Sequence, residues 1–254
     1  MADHAAGEDI FVYTGGVAPQ HVVNAIIDES IEKIDDNAFD DNPNLRSVVC
    51  HDRVLKVGEW TFHCCVSLQR VKMPGVLIIE DRAFDNCISL THVEFDKLET
   101  VGFGAFMVST SLKRVKFPKV KTIGINAFLN SGVEELEIGE DLETIGSSAF
   151  WGSKLRRIAI PLRDEMFQWS DHYGTYTQFC ECNNLTTVDL VGGIHKTVAS
   201  LHLQSWRNEM SEVIQRINQV LPSTDSDEKA DVIRQWIQSV LAKLTTTKQS
   251  TLYY

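Results

Sequence analysis

The stretch L-K-R-V-K-F-P-K-V-K-T-I-G-I-N-A-F, residues 112–128, contains the pattern on which the architecture depends. Near its start, charged Arg114 and Lys116 alternate with apolar Val115 and Phe117. Strand side chains point alternately to opposite faces, so this segment predicts a short strand with one buried and one solvent-facing side. The same arrangement returns along most of the chain, which makes it the unit of a repeat.

A phenylalanine recurs with a spacing of 22 or 23 residues. The first six are Phe39, Phe62, Phe84, Phe106, Phe128 and Phe150, and a seventh, Phe179, follows after 29 residues. A branched aliphatic residue stands five positions before each of the first six, and another aliphatic residue stands three positions earlier. This period predicts a solenoid, because one unit cannot bury its apolar face alone and must stack on its neighbours.

Strand-like segments accompany the phenylalanines. They begin at Val22, Leu45, Leu68, Leu90, Leu112, Val133, Leu155 and Leu185. We therefore predict an α/β repeat solenoid over residues 22–191, with a parallel β-sheet of about eight short strands on one side. The phenylalanine and aliphatic columns would fill the core beneath the opposite, convex side. Residues 1–21 precede the array as an N-terminal segment.

The repeat resembles the BspA-like class of leucine-rich repeats. Residues 123–128 and 115–118 match its pattern I-G-x-x-A-F-x-x-C-x-S-L-x-x-V-x-F-P, and the resemblance covers about residues 22–190. The flanking stretches at 11–22 and 189–210 are similar to the flanks of such proteins in some marine microalgae. The resemblance implies a leucine-rich-repeat fold and a binding role rather than catalysis.

The pattern changes after Leu190. Apolar residues follow helical spacing over 210–221 and 233–244, Pro222 ends the first helix, and the acidic run 225–228 can cap the second. We predict a helical hairpin over residues 192–244 that caps the solenoid, because an open end exposes core and an unpaired sheet edge. The alternative is a hairpin that binds a partner or a second copy. Residues 245–254 are predicted to form a frayed tail.

The stretch W-T-F-H-C-C-V-S-L, residues 60–68, places a histidine beside two cysteines. In register with the repeat, Cys65 joins a column of small residues three positions after each phenylalanine, which can hydrogen-bond turn backbone. The other members are Asn42, Cys87, Ser109, Ser131, Ser153 and Cys182. Cys50 falls on a core position, whereas Cys64 falls on a variable turn position and is predicted to be a surface thiol. Its reactivity depends on its surroundings, which the sequence does not give.

The sequence indicates no cofactor, metal or catalytic site. Adjacent cysteines and the C-x-C at 180–182 lack the usual zinc-ligand spacing. The glycine stretch 191–197 lacks the spacing of a phosphate-binding loop. No nucleophile motif or metalloprotease motif occurs.

Charge and hydropathy limit the partners. The net charge is −11, which argues against nucleic acid or an anionic membrane as the partner. The chain has no apolar window long enough for a transmembrane helix, and its acidic start lacks the features of a signal peptide. We therefore expect a cytoplasmic or nuclear protein with free thiols.

Two groups of residues are candidates for partner binding. On the concave sheet face the predicted solvent-facing positions alternate in charge, which predicts cross-strand ion pairs. These residues are Arg70, Lys72, His92, Glu94, Arg114, Lys116, Glu135, Glu137 and Arg157. The second group lies in an insertion in the last repeat, residues 164–176, and consists of Phe167, Trp169, His172 and Tyr173. Either group has a structural alternative: a self-paired, solvated charge ladder, or a loop that closes the core.

We predict a non-enzymatic scaffold that binds an unidentified protein partner through these two surfaces. The alternative is a small-ligand or carbohydrate-binding protein, or less readily an enzyme, with a pocket at the 164–176 loop. A repeat protein without a fixed partner is the third reading. The oligomeric state stays open.

Overall fold

The computed structural model describes residues 10–191 and 204–251. Nine strands line one side of the molecule in two parallel sheets. All strands are numbered in chain order. The five-stranded sheet contains β1 (Ile10–Tyr13), β2 (Asn24–Ile27), β4 (Ser47–Val49), β6 (Arg70–Lys72) and β8 (His92–Glu94). The four-stranded sheet contains β10 (Arg114–Phe117), β12 (Glu135–Ile138), β14 (Arg157–Ile160) and β15 (Thr187–Leu190). The predicted parallel solenoid is confirmed.

A further parallel sheet, of six two-residue strands, lies on another side of each repeat and is called the second sheet below. Its strands are β3 (Lys33–Ile34), β5 (Lys56–Val57), β7 (Ile78–Ile79), β9 (Thr100–Val101), β11 (Thr122–Ile123) and β13 (Thr144–Ile145). The second residue of every pair belongs to the aliphatic column five positions before a repeat phenylalanine, and all six are buried. The sequence predicted these side chains as core but not their pairing into a sheet.

The repeat phenylalanines form one continuous ladder of rings. Neighbouring ring centroids from Phe39 to Phe179 lie 5.0 to 5.5 Å apart. All seven rings are fully or almost fully buried. Tyr13 extends the ladder by one ring, because its centroid lies 5.2 Å from that of Phe39. The solenoid therefore begins at β1, inside the segment that the sequence set apart as residues 1–21.

Small side chains hydrogen-bond the backbone at several turns. The thiols of Cys65 and Cys87 and the hydroxyl of Ser109 donate hydrogen bonds to the phenylalanine carbonyl oxygen of the preceding repeat, over 3.0 to 3.1 Å. Cys182 does the same to Phe150 at 2.9 Å. Each of these carbonyl oxygens also accepts the backbone amide three residues further on, so the buried side chain adds a second hydrogen bond. The predicted small-residue ladder is thus observed, with this hydrogen bond at four of its seven positions, whereas the buried Ser131 hydroxyl has no partner among the described residues.

The C-terminal part is helical. It contains α1 (Gln204–Gln215), α2 (Ile217–Val220), a 3₁₀ turn (Leu221–Ser223) and α3 (Lys229–Thr251). α1 and α3 contact each other, since the Trp236 indole donates to the Val213 carbonyl oxygen at 3.2 Å. Pro222 lies in the turn between them, as predicted, and α3 continues to Thr251, into the segment predicted to fray. The predicted cap residues 192–203, which include most of the glycine stretch, lie outside the described residues.

The helical segment covers the last strand. Asn218 Oδ1 accepts a 2.8 Å hydrogen bond from the Val188 amide, on the edge of β15 that pairs with no other strand of the described residues. The buried ammonium of Lys229 donates to the carbonyl oxygens of Cys182 and Leu185, at 3.0 and 2.8 Å. Burial lowers the pKa of Lys229. These contacts supply partners for backbone groups that an open solenoid end would leave exposed.

Candidate binding surface

The solvent-facing side of the nine long strands, called the sheet face below, presents two rows of side chains. Parallel pairing brings Arg70 beside His92 in one row and Lys72 beside Glu94 in the other. In the four-stranded sheet, Arg114, Glu135 and Arg157 continue the first row, and Lys116 and Glu137 continue the second. All nine predicted side chains therefore lie on this face. The rows are interrupted between β8 and β10, where the core rings of Phe95 and Phe117 meet edge-on, with centroids 6.2 Å apart.

Ion pairs join neighbouring strands across the sheet face. Lys72 lies 3.1 Å from Glu94, and Lys116 lies 2.8 Å from Glu137. Further pairs connect Arg114 with Glu135 at 3.6 Å and Arg157 with Asp189 at 2.5 Å. Asp189 was not among the predicted residues. Its register with Ala159 places it in the second row, which contains Lys116 and Glu137. These charges are largely exposed, so each pair contributes at most about 1 kcal/mol to stability.

A groove of about 530 Å³ runs over the four-stranded half of the sheet face. Charged walls surround an apolar floor that includes half-buried Val93 and Ala159. The wall residues are Arg114, Lys116, Glu135, Glu137, Arg157 and Asp189. The groove therefore combines both signs of charge with accessible apolar surface, which suits a polar and selective contact.

The other end of the sheet face is aliphatic. Val12, Ile26 and Val49 stand side by side in the row that Lys72 continues, and they are 50%, 42% and 42% exposed. We call these three residues the aliphatic patch. The sequence analysis did not predict them. Val49 is the fifth residue of its strand segment, and the fifth residues of the later segments, such as Lys72 and Glu94, were predicted as solvent-facing. An exposed apolar row on a rigid sheet is typical of an interaction surface.

The 164–176 insertion divides into a buried and an exposed part. Met166 and Phe167 are buried, and the Phe167 ring meets the last ring of the ladder, Phe179, edge-on at 5.7 Å. Backbone hydrogen bonds from Ile145 to Met166 and from Gln168 to Ile145 add this segment to the edge of the second sheet. Phe167 thus closes the core. The sequence analysis proposed it as a partner-binding residue, but its burial prevents that contact.

Three other aromatic residues of the insertion, Trp169, His172 and Tyr173, face solvent. Trp169 is 52% and Tyr173 is 54% exposed, and His172 is exposed beside Tyr173. Trp169 meets Tyr176 edge-on at 5.1 Å, and the Arg234 guanidinium of α3 lies over the Tyr176 ring at 4.7 Å. The loop is therefore anchored on the helical segment and presents three aromatic side chains outward.

Five of the six cysteines are buried, and Cys64 is partly exposed. Burial raises the pKa of Cys50 and Cys65 to about 12 and that of Cys182 to about 11. These thiols stay protonated at neutral pH, and those of Cys65 and Cys182 act as hydrogen-bond donors rather than nucleophiles. All six cysteines are free.

Neither a membrane span nor a metal cluster is found in the parts that the structure describes. None of the described helices has the length and apolar character needed to cross a bilayer. Among the described side chains, no three from His, Cys, Asp and Glu are grouped to hold a metal ion.

Stacked repeats, a parallel sheet with an exposed face and a helical end together define a leucine-rich-repeat solenoid. The profile of the BspA-type leucine-rich-repeat region matches six copies, over residues 20–119 and 99–205. The chain belongs to this family. No curated protein matches the chain.

Solved structures share the fold. A leucine-rich cell surface protein from Faecalibacterium prausnitzii is 25% identical over 70% of this chain, with a TM-score of 0.52. The chain spans about half of that protein, 49% of its length. The leucine-rich-repeat protein of T. pallidum is 21% identical, with a TM-score of 0.48 over 70% of this chain and 72% of its own.

Proposed function

We propose that this protein is a non-enzymatic scaffold that binds a protein partner through its sheet face. The observation that carries the proposal is the pair of side-chain rows on a parallel sheet, which are charged at one end and include the aliphatic patch in one row at the other end. Solenoids of this kind commonly use such extended surfaces for binding. The fitting partner is a protein surface or extended segment that offers apolar side chains to the aliphatic patch and both charges to the groove.

The balance of charge supports a selective contact. Most of the face's basic groups have a carboxylate across the strand gap, so the face has little net field to attract a polyanion. A partner must replace those internal pairs with pairs of its own, and a wrong pattern of charge leaves unpaired ions. The groove's apolar floor contributes the burial that the exposed pairs do not.

The first experiment tests the aliphatic patch with a matched control. Ile26→Arg places a charge in the patch, and Ile78→Arg places the same charge on the second sheet, where Ile78 is 38% exposed. Proteins captured from a native lysate by the wild-type chain are quantified by mass spectrometry. We expect Ile26→Arg to lose the specific proteins and Ile78→Arg to keep them. Equal capture by both variants contradicts the proposal.

The second experiment tests the charge pattern without removing an ion pair. The double variant Lys116→Glu/Glu137→Lys reverses one pair on the sheet face. Lys121→Glu/Glu99→Lys reverses a pair of 2.7 Å outside that face and serves as the control. Both should melt like the wild type, since surface pairs contribute little to stability. If the sheet face binds the partner, the Lys116/Glu137 variant loses capture and the control keeps it. The assignment of the binding face is contradicted if only the control loses capture, or if both variants keep it.

A further inference from the structure

Three side chains from three successive repeats are grouped with the Cys64 thiol. The ring of His63 places Nε2 3.3 Å from Cys64 Sγ and Nδ1 2.8 Å from Asp40 Oδ1. Asn86 Nδ2 lies 3.2 Å from the same sulfur, on the side of the next repeat. The order carboxylate, imidazole, thiol is the arrangement by which a histidine activates a cysteine.

The repeat itself brings these residues together. Asp40 and His63 each follow a repeat phenylalanine by one position, and Cys64 and Asn86 follow one by two positions. Stacking places equal positions of neighbouring repeats side by side. Cys64 and Asn86 have φ angles of 55° and 59°, and the Cys64 amide donates to the Asp85 carbonyl oxygen at 2.9 Å. The turn backbone therefore holds the thiol at a fixed place on the surface.

The orientation of His63 is fixed from two directions. Its Nδ1–H donates to Asp40, which leaves Nε2 as the acceptor for the thiol proton. The ring also meets the Trp60 indole edge-on at 4.7 Å, and the Arg82 guanidinium covers Trp60 at 4.8 Å. Asp40 can in turn stabilise the imidazolium that forms when the proton moves.

The neighbouring charges act in both directions. The His63 imidazole and the Asn86 amide both contact the sulfur and can stabilise negative charge that develops on it as it reacts, whereas the carboxylates of the neighbouring residues Asp41 and Asp85 oppose that charge. Asp85 is paired with Arg82, 3.4 Å away, which offsets its negative charge. The groups that touch the sulfur directly thus act in the same sense.

We propose that Cys64 is a covalent modification site, a nucleophilic thiol that reacts with small soft electrophiles, of which hydroperoxides are the natural class. The thiol proton moves to His63 Nε2, and the sulfur attacks the terminal peroxide oxygen. The S–O bond forms as the O–O bond breaks, and the leaving oxygen takes the proton from His63. Sulfur is oxidised by two electrons to a sulfenic acid, and hydrogen peroxide is reduced to water.

Alkylation of the folded, full-length protein measures this reactivity. Iodoacetamide is added at pH 7 and at pH 9.5, and modification of each cysteine is followed by peptide mass spectrometry. We expect Cys64 to react first, because the other five thiols are buried. His63→Gln should slow its alkylation about tenfold or more at pH 7. The loss should shrink at pH 9.5, where an exposed thiol ionises without a histidine.

Controls separate activation from exposure. His51→Gln changes a histidine that bonds the Asp28 carbonyl oxygen instead of a thiol, and it should leave the rate unchanged. Asp40→Asn should slow alkylation at pH 7 less than His63→Gln does. With hydrogen peroxide, a dimedone adduct should appear at Cys64 and vanish in His63→Gln. A wild-type rate in His63→Gln at pH 7, an equal loss at both pH values, or no dimedone adduct in the wild type would overturn the proposal.

Discussion

The Tyr13 hydroxyl donates a 3.0 Å hydrogen bond to Asp35 Oδ2, which ties the first ring of the aromatic ladder to the first complete turn. The same hydroxyl lies 3.0 Å from the Gly16 carbonyl oxygen and accepts a 3.3 Å bond from the Asp35 amide. Its ring is fully buried against Phe39. A tyrosine here continues the apolar stack and also satisfies polar groups at the end of the solenoid.

Shortening Tyr13 should open the N-terminal end of the core. We expect Tyr13→Ala to lower the free energy of unfolding by about 3–5 kcal/mol, the usual cost of removing a buried aromatic ring. Tyr13→Phe keeps the ring and removes only the hydroxyl, so its cost should be about 1 kcal/mol. Urea unfolding followed by circular dichroism measures both. Equal losses would mean that the hydroxyl, and not the ring, holds this end together.

Tyr13 should also give the stability a dependence on alkaline pH. Burial raises its pKa to about 12, above the ordinary value of 10.0, so the folded chain holds this proton more tightly than the unfolded chain. The contribution is fully present below pH 10 and is lost as the pH rises towards 12. The difference in unfolding free energy between wild type and Tyr13→Phe should therefore shrink or change sign over that range. A constant difference would contradict the raised pKa.

Much of the fold could be predicted because the repeat multiplies each signal. Six phenylalanines at one spacing leave little choice of architecture, and the ladder confirms it. Tyr13 escaped prediction because it is a single tyrosine, 26 residues before Phe39, in a column otherwise marked by phenylalanine. The second sheet escaped because two-residue strands carry no alternation to recognise.

A candidate site could be predicted only where its residues occupy the same position in successive repeats. The charge ladder followed from strand alternation, and the same column extended to Val12 and Ile26 would have indicated the aliphatic patch. The contact between Asp40 and His63 crosses two repeats, and only their shared position after a phenylalanine could have pointed to it. The burial of Phe167 depends on how the insertion folds back, for which no repeat partner exists.

The small-residue ladder predicts an unusual tolerance at Ser109. Ser109→Cys should leave stability almost unchanged, because Cys87 makes the same bond to a phenylalanine carbonyl oxygen one repeat earlier. Ser109→Ala leaves the Phe84 carbonyl oxygen without that donor and should cost about 1–2 kcal/mol. Thermal unfolding of the three proteins compares them. A larger loss for cysteine than for alanine would show that space, and not the hydrogen bond, governs the position.

The helical cap makes a testable contact with the sheet edge. Asn218→Ala removes the acceptor of the Val188 amide and should lower the free energy of unfolding by about 1–3 kcal/mol, since Val188 is buried. Asn218→Asp keeps an acceptor oxygen and should lose less. Hydrogen exchange of the Val188 amide reports the contact directly and should accelerate in Asn218→Ala alone. Unchanged exchange would show that β15 does not depend on the cap.

The buried and the exposed part of the 164–176 insertion can be tested separately by mutation. Phe167→Ala removes a buried ring from the end of the ladder and should lower the free energy of unfolding by about 3–5 kcal/mol. Trp169→Ala alters a half-exposed side chain and should change stability by less than about 1 kcal/mol, because its main contact is one edge-on ring. If the loop contributes to the proposed scaffold, Trp169→Ala should also weaken partner capture at an unchanged melting temperature. Full capture by Trp169→Ala would confine binding to the sheet face, and unfolding by it would assign the whole loop to core closure.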